Sequence, residues 1–374
     1  MRVLHISNGY ADSTVHSNLT KAIDEIGVQQ TVYCPVREAR LVGKNQFDGK
    51  NIQFAYSFCI KPWYKYFYHL KRWMLYRDME RRVDLQSFDI IYAPSLFSDG
   101  GLALKAYKKY GTPYVVAVRN TDINIYLKRL KHTYRTGRKI ALNAGKIVFI
   151  SKGEMEEFEG SEFARPILDR IRDKIVLQPN GIDDYWINNA LMNVPRANHD
   201  IIYVGRFDHN KNVVRLVEAV LALKNEFNDV KLHLVGGGGI NEEIINELVE
   251  ANPNCLTYHG KVFNLEKLSE LYDRCSVFAM PSIHETFGLV YLEAMSRNLA
   301  VLYTKGQGID GLFDRSIGES ADALSDESIK EGLRKLLAER KNYHVDIDFE
   351  QFRWSAIARK HLAMYQSVIE RKIR

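Results

Sequence analysis

Two glutamates, Glu285 and Glu293, lie eight positions apart in one short segment. The apolar run 275–280 is typical of a buried strand, and residues 289–295 are typical of the helix that follows it. Glu285 is therefore expected in the loop and Glu293 inside the helix, roughly 7 to 8 Å along its axis from Gly288. Glycosidase carboxylates lie within about 5 to 10 Å of each other across one bond. We expect these two instead to contact separate parts of one long ligand.

The start of this helix is expected to bind an anion, because free backbone N–H groups and the helix dipole favour negative charge there. Gly288 has no Cβ and lets a phosphate approach the backbone, and the candidate donors are the amides of Thr286, Phe287 and Leu289. A nucleoside diphosphate-sugar presents ribose, diphosphate and hexose in the matching order. The helical glutamate would accept from ribose hydroxyls, and the loop glutamate would reach the sugar. The alternative is a helix with an acidic first turn and one exposed glutamate.

Two cations follow a second predicted strand, 201–204: Arg206 after Gly205, and Lys211 five residues later. Fixed positive charges at the carboxyl end of a strand can stabilise a diphosphate whose charge grows as its bond to a sugar breaks. The alternative for Arg206 is an interdomain salt bridge.

A glycine run, Gly236 to Gly239 with Gly237 inside it, follows the predicted strand 232–235. Its backbone can approach a phosphate or ribose, but it lacks the dinucleotide-binding spacing and the P-loop lysine. A tight strand-to-helix turn explains it equally well. Asp346 and Asp348 are interpreted as a helix-entry region. The eleven histidines show no zinc spacing, so we expect no metal and no cofactor.

Composition predicts an ordinary globular protein of two domains, with 374 residues, 46% of them apolar and 26% charged. The first apolar run is too short for a signal peptide. The four cysteines have no metal or redox pair spacing, which favours a reducing cytoplasm. Residues 1–178 contain 29 Lys and Arg against 18 Asp and Glu, a net +11, which leaves −5 for the rest of the chain. The basic half suggests an anionic partner.

The stretch 61–82 combines basic and aromatic residues in one predicted amphipathic helix. Such a helix can lie in a membrane interface, with its apolar side chains inserted and its cations near lipid headgroups. The alternative is a surface helix that buries Trp63, Phe67, Leu70 and Met74 in its own domain.

Strand-like runs alternate with helical patterns throughout the chain, which predicts βαβ units and parallel sheets. Residues 1–178 and 179–352 are each expected to form a doubly wound Rossmann-like domain, and 353–374 a final helix. Turn chemistry at Pro179-Asn-Gly181 marks the change between the domains. The predicted strands are 3–7, 31–36, 88–93, 114–118, 147–150 and 175–177, then 201–204, 232–235, 255–259, 277–280 and 300–303.

Taken together, several motifs carry a resemblance across the second half of the chain. They are Pro179-Asn-Gly-Ile-Asp183, Gly205-Arg206, Lys211, Gly236 to Gly239, and Glu285-Thr-Phe-Gly-Leu followed after three residues by Glu293. In order and spacing the chain resembles the retaining glycosyltransferases of group 1, or family four. The resemblance implies a GT-B fold: two Rossmann-like domains facing a central cleft, with the C-terminal helix crossing back to the N-terminal domain.

The resemblance also implies roles. Arg206 and Lys211 would bind the donor diphosphate, assisted by amides around residues 287–289. Glu293 would bind ribose, and Glu285 would touch the transferred sugar near its reacting carbon. Lys261 and Val262 occupy the place where backbone contacts the base. The C-terminal domain would hold the nucleotide-sugar and the N-terminal domain the acceptor, with anomeric retention and no metal.

The N-terminal half departs from the family pattern. Ser7-Asn-Gly9 stands where many relatives have a glycine pair, so Gly9 remains a donor-side candidate. Arg119 and Asn120 stand where a histidine is common, and either can contact the sugar or acceptor. The usual Gly-x-Pro after the Glu293 helix is replaced by Asn298-Leu-Ala300.

The sequence therefore predicts a cytoplasmic enzyme, either free or peripheral on the inner membrane face through 61–82, that moves a hexose from a UDP- or GDP-sugar. Its acceptor would be a glycan or a lipid-linked glycan, in cell-surface polysaccharide synthesis. One alternative is a non-catalytic nucleotide-sugar-binding protein, and another is a nucleotide-sugar epimerase. Nothing in the motifs indicates nucleic-acid binding.

Overall fold

A computed structural model describes residues 1–61, 67–191, 194, 196 and 198–373. The chain forms two compact units. The first contains Met1–Ile150, Glu154–Gly181 and Trp354–Arg374, and the second contains Ser151–Gly153 and Ile182–Arg353. Within the described residues, every helix is too short or too polar to span a bilayer.

The first unit is built on a seven-stranded parallel sheet in the order β3-β2-β1-β4-β5-β6-β7. The chain proceeds outward from β1 in one direction and then returns to the other side of β1, so a topological switch point lies between β1 and β4. Ligands of such sheets bind beyond the carboxyl ends of the strands at this point. The strands are β1 (Arg2–Ile6), β2 (Gln29–Val36), β3 (Ile52–Phe58), β4 (Ile90–Ala93), β5 (Tyr114–Ala117), β6 (Lys146–Phe149) and β7 (Ile175–Leu177).

Helices lie between these strands, and local capping fixes their ends. The Ser13 side chain accepts from the Val15 amide at the start of the first helix, and Gly111 ends the third in a left-handed conformation. A short π-helical turn, Asp122–Leu127, follows β5. The helices are α1 (Thr14–Glu25), α2 (Tyr68–Arg82), α3 (Ser98–Tyr110), α4 (Tyr134–Asn143), α5 (Lys152–Gly160) and α6 (Leu168–Ile171).

The second unit is built on a six-stranded sheet in the order β10-β9-β8-β11-β12-β13, again parallel throughout. Its switch point lies between β8 and β11. The strands are β8 (Asp200–Gly205), β9 (Lys231–Gly236), β10 (Leu256–Tyr258), β11 (Val277–Ala279), β12 (Ala300–Thr304) and β13 (Gly318–Ala321). The helices are α7 (Asp184–Asn188), α8 (Val213–Leu223), α9 (Glu242–Ala251), α10 (Leu265–Arg274), α11 (Leu289–Ser296) and α12 (Asp326–Ala338).

The last helix, α13 (Trp354–Ile373), packs against α1 in the first unit, as the resemblance implied. Its apolar face joins the core beneath β1, β4 and β5 through Ile357, Tyr365 and Val368. Asp348 caps the 3-10 turn just before it by accepting from the Glu350 amide. The prediction of a helix-entry region at that position is thus confirmed.

The sequence interpretation missed two strands, and it expected only turns where the helix α7 lies. β3 and β13 are edge strands, as are β7 and β10, but polar residues interrupt the sequences of β3 and β13, so neither forms a continuous apolar run. β13 has the polar sequence Gly-Glu-Ser-Ala. The turn region predicted between the domains contains the short helix α7, which buries Trp186.

Tyr365 tests the packing of α13. Its ring is fully buried beside Tyr92, with 5.9 Å between ring centroids, and its hydroxyl has no hydrogen-bond partner among the described residues. Tyr365→Ala should lower the free energy of unfolding by about 3 to 5 kcal/mol, because it leaves a cavity. Tyr365→Phe should leave it unchanged or raise it, since a buried unpaired hydroxyl opposes folding. Urea unfolding measures both, and a strongly destabilised Tyr365→Phe would contradict the assignment.

Candidate functional site

The carboxyl ends of β8, β9 and β11 bring the predicted donor-site residues of the second unit together. β8 pairs with β11 on one side, with Ile201 opposite Val277, and with β9 on the other, with Gly205 opposite Gly236. Because the strands are parallel, the loops that follow them emerge at the same edge. The cations after β8 therefore lie between the glycine turn after β9 and the glutamate loop after β11.

Lys211 and Glu285 form an ion pair at this edge, with 2.7 Å between Nζ and Oε2. The Glu285 side chain is 8% exposed and that of Lys211 25%. A buried carboxylate is costly unless it is paired and hydrogen-bonded. The lysine supplies the counter-charge while its own side chain remains accessible from one side.

Backbone and side-chain hydrogen bonds fix the loop that carries Lys211. The Asp208 carboxylate accepts from the Lys211 amide at 3.0 Å. The Asn210 amide group bonds the backbone of His284 in both directions, at 2.9 and 3.1 Å. Asn212, in a left-handed conformation, donates to the carbonyl of Pro281 at 3.0 Å. The backbone around Lys211 is thus hydrogen-bonded to the loop that follows β11.

The loop that carries Glu285 is held from the opposite side. The Gln307 side chain, in the loop after β12, accepts from the Glu285 amide at 2.7 Å and donates to the Ile283 carbonyl at 3.0 Å. Ser282 Oγ and the Thr286 amide donate to the carboxylate at 3.3 and 3.1 Å. Both carboxylate oxygens are therefore occupied, which fixes the orientation of the side chain.

Arg206 is far less constrained. Its side chain is 73% exposed, and its nearest acid is Asp208, with 3.8 Å between Nε and Oδ2. An exposed pair at this distance contributes little to stability. The guanidinium is therefore available to a ligand without breaking a strong internal contact.

A cavity of about 460 Å³ opens beside Arg206 at the ends of β8, β9 and β10. Its floor is backbone: Gly236 has a φ of 128°, and a Cβ there would come within 1.8 Å of the Gly205 carbonyl oxygen. Cavities of roughly 300 to 1,000 Å³ hold small ligands. The lining residues are Val204, Gly205, Arg206, Val235, Gly236, Gly237, Gly238, Lys261, Val262 and Phe263.

The start of α11 has the backbone geometry of the predicted anion site. Gly288 is its N-cap, with a φ of 75°, and a Cβ there would meet the Tyr291 ring at 2.5 Å. Phe287 is buried just before it, and Leu289 begins the helix. A glycine is required here on both conformational and steric grounds.

Glu293 has a different environment from Glu285. It lies inside α11, and no described residue donates a hydrogen bond to its carboxylate. Burial and, to a smaller extent, the nearby carboxylate of Asp183, which caps α7, together raise the pKa of Glu293 to about 7. A carboxyl group poised near neutrality and lacking a donor is suited to accept from hydroxyl groups of a ligand.

In the first unit, Gly9 lies directly after β1 and caps a 3-10 turn. A Cβ at Gly9 would meet nothing within 4 Å. The preceding Asn8 amide donates to the buried carboxylate of Asp99 at 3.2 Å, and Ser95 Oγ donates to the same group at 2.8 Å. Burial raises the pKa of Asp99 to about 7. The loop after β1 is therefore fastened to α3.

Arg119 and Asn120 follow β5 and are both half-buried. The Arg119 amide donates to Asp122 at 3.1 Å, whereas its Nη1 is buried with no partner among the described residues. His16 lies close to this guanidinium, and burial followed by the arginine charge lowers its pKa to about 3. Ser7 Oγ, at the end of β1, is likewise buried without a described partner.

Sequence reasoning missed the residues that fasten the loops in the second unit: Asn210, Asn212 and Gln307. Each has an amide side chain in a loop that follows an apolar strand. That position alone does not distinguish a residue that holds two loops together from an ordinary turn residue. Where the chain is described, no cluster of three His, Cys, Asp or Glu side chains could hold a metal ion.

The raised pKa of Glu293 makes stability depend on pH. The unfolded carboxyl titrates near 4.5 and the folded one at about 7, so the folded state binds the extra proton between these values. Stability should therefore fall as pH rises from about 4.5 to 7. At pH 8, the free energy of unfolding of Glu293→Gln should exceed that of wild type by up to about 3 kcal/mol. At pH 4 the difference should vanish.

Urea unfolding at pH 4 and pH 8 measures this, and Glu270→Gln on the exposed face of α10 is the matched control. Equal stability of Glu293→Gln and wild type at pH 8 would show that the carboxylate is not strained by burial.

Two family models match the chain. The model described as Glycosyltransferase Family 4 matches residues 13–185, and the model described as Glycosyl transferases group 1 matches residues 192–348. The putative teichuronic acid biosynthesis glycosyltransferase TuaC of Bacillus subtilis is 22% identical over 340 residues, which cover 84% of each chain.

Solved structures show the same fold. The lipopolysaccharide outer core galactosyltransferase WaaB aligns with a TM-score of 0.71 at 18% identity, covering 98% of this chain and 99% of that one. HepE of Anabaena, solved with UDP-glucose, aligns with a TM-score of 0.62 at 14% identity, covering 99% of each chain. These are GT-B proteins with two Rossmann-like domains. By these matches and by its own two parallel-sheet units, the chain belongs to the group 1 glycosyltransferases.

Proposed function

We propose that the protein is a retaining hexosyltransferase that moves a sugar from a UDP- or GDP-sugar to a glycan or lipid-linked glycan in cell-surface polysaccharide synthesis. The observation that carries this proposal is the Lys211–Glu285 pair, held at 2.7 Å by three neighbouring loops and flanked by the exposed Arg206. Two cations beside an apolar cavity match a diphosphate attached to a nucleoside.

The proposed chemistry follows from charge. In the transfer, the bond between sugar C1 and the diphosphate oxygen breaks, and the diphosphate takes the electron pair. The acceptor hydroxyl oxygen bonds to C1, and its proton passes to the departing diphosphate oxygen. Charge that grows on the leaving group is stabilised best by fixed donors aimed at it. Arg206, Lys211 and the amides at the start of α11 supply that charge, so we propose that transfer needs no metal ion.

The other site residues take the remaining parts of the donor. Glu293, which has no donor of its own in the described chain, accepts from the ribose hydroxyls. Glu285 approaches the sugar and also orients Lys211. The cavity with Gly205, Gly237, Lys261 and Val262 receives the base. In the first unit, Gly9 contacts the donor, and Arg119 and Asn120 contact the acceptor or the sugar.

Relatives support the substrate classes. TuaC is named for teichuronic acid biosynthesis, and WaaB for galactose transfer to the lipopolysaccharide outer core. HepE was solved with UDP-glucose. A sugar nucleotide as donor and a surface glycan as acceptor therefore fit what similar proteins are named for.

The proposal is tested by incubating the protein with labelled UDP- and GDP-hexoses and lipid-linked or free oligosaccharide acceptors, with and without EDTA. We expect transfer from at least one donor, with the anomeric configuration retained. Arg206→Ala should lower turnover at least tenfold, since a charge contact to the transition state is lost. Stability should stay unchanged, because the side chain is exposed.

Lys231→Ala is the matched control, because it removes one exposed positive charge at the opposite, amino end of β9. Full activity of Arg206→Ala would overturn its assignment. Tight nucleotide binding without transfer to any acceptor would favour a non-catalytic binding protein.

We also propose peripheral membrane contact through 61–82, of which residues 62–66, including Trp63, lie outside the described part. One face of α2 and its N-cap exposes Phe67 at 56%, Leu70 at 41% and Trp73 at 52%. The alternative of a helix that buries its apolar side chains in its own domain holds for Met74, which packs against the core, but not for Phe67 and Leu70. Three large exposed apolar side chains on one face indicate an interaction surface.

The charges on this face favour an anionic lipid surface. The Arg77 guanidinium lies 5.8 Å from the Trp73 ring centroid, and Arg81 is exposed one turn further. The two acids of α2 face other partners: Tyr33 donates to Asp78 at 2.8 Å, and Lys109 to Glu80 at 2.7 Å. Cations with aromatic and aliphatic side chains are the composition of interfacial helices.

The buried side of the start of α2 contacts the carboxyl edge of the first sheet. Tyr68 donates to the carbonyl of Phe97, just before α3, at 2.9 Å, and its ring contacts Tyr126 after β5 at 5.7 Å. A lipid-linked acceptor would then approach the site from the start of α2, along the edge of the sheet that also carries Gly9 and Arg119.

Flotation with vesicles tests the contact. At low salt, wild type should co-float with vesicles of phosphatidylcholine and phosphatidylglycerol and much less with phosphatidylcholine alone. Trp73→Ser and Arg77→Glu should each reduce flotation severalfold. Ile26→Ser, which removes an equally exposed apolar side chain elsewhere in the first unit, should have no effect. Failure of wild type to float with anionic vesicles removes the proposal.

A further inference from the structure

Phe263 is the most exposed large apolar side chain in the described chain, at 87%, and it lines the cavity beside Arg206. An exposed phenyl ring keeps a large apolar surface in water, which is unfavourable unless a ligand covers it. Most of the other lining residues are valines or glycines. The cavity therefore has an apolar wall and one flat aromatic group.

The backbone on either side of Phe263 is fixed. Before it, the Gly236 amide donates to the Gly260 carbonyl at 2.9 Å, and the His259 amide donates to the Leu234 carbonyl at 2.9 Å. After it, Asn264 caps α10 by accepting from the Lys267 amide at 2.7 Å. The ring is thus attached to a short segment that is anchored at both ends, at the mouth of the cavity.

No ring or cation of the described residues contacts the Phe263 ring, so its face is open to a ligand. From the sequence, the backbone of Lys261 and Val262 was expected to contact the base, and no role was expected for the Phe263 side chain. A nucleobase has a π face of its own, and base–aromatic stacking contributes substantially to binding regardless of base identity.

We propose that Phe263 stacks on the nucleobase of the donor and so sets its affinity. This inference rests on the proposed function, because it requires a nucleotide in the cavity. With the base against Phe263, the diphosphate extends toward Arg206, which lines the same cavity. Phe263 would hold the base while the cations hold the charge.

Calorimetric titration of UDP and GDP into wild type and Phe263→Ala tests the proposal. Loss of the ring should weaken binding of the preferred nucleotide about fivefold to fiftyfold. Phe263→Tyr should bind as wild type does, because it keeps the stacking face. Inorganic pyrophosphate, measured by competition, should bind equally to wild type and Phe263→Ala. Ile240→Ala is the matched control, since Ile240 is 82% exposed but does not line the cavity.

A spectroscopic signature separates stacking from a structural role. Phe263→Trp should show nucleotide-dependent quenching of fluorescence beyond that of wild type, and Ile240→Trp should not. If Phe263→Ala binds UDP and GDP as tightly as wild type does, this inference is overturned and the proposed function still stands. Equal losses of nucleotide and pyrophosphate would also overturn it, because the loop itself would then be disturbed. If wild type binds no nucleotide at all, the proposed function fails first.

Discussion

The pairing of β8 with both β9 and β11 is the constraint on which the second unit depends. Parallel hydrogen bonding fixes where each strand ends, and therefore which loops meet. Lys211 comes from one loop and Glu285 from the next, 74 positions away in the chain. The switch point between β8 and β11 brings them within contact distance. A ligand that needs both charges and apolar surface finds them together at this edge, because the cavity lies over the glycine turn after β9.

Most strands and the site motifs were predictable from the sequence, whereas the two edge strands β3 and β13 and the residues that hold the loops together were not. β8 and β11 contain continuous apolar runs because both faces of their sheet are covered. β3 and β13 lack that signal, since polar residues interrupt both sequences. The positions of Glu285 in a loop and Glu293 in a helix followed from local pattern. Their different environments did not, because burial of a helical carboxylate depends on which distant residue, here Asp183, packs nearby.

Glu285 and Glu293 have different electrostatic environments near the proposed ligand site. Glu285 is neutralised internally by Lys211, and both its oxygens are occupied. Glu293 has no such partner in the described chain, and its ionised form is disfavoured in the folded state. The first arrangement contributes rigidity, and the second leaves an acceptor for hydroxyl groups. The unpaired carboxylate of Glu293 lowers the stability of the second unit, whereas the Lys211–Glu285 pair makes the same unit more ordered. Such a loss of stability is common at functional sites.

The backbone floor of the cavity has a consequence for how such a protein can diversify. Gly236 approaches the Gly205 carbonyl so closely that no side chain fits between them. Mutation cannot line this floor with new groups without separating β8 from β9. A change of nucleotide preference in this chain is therefore expected to require substitutions at the rim, where Phe263 after β10 projects into solvent and substitution costs the fold little. The backbone floor is then fixed by the sheet, and only the rim is free to change.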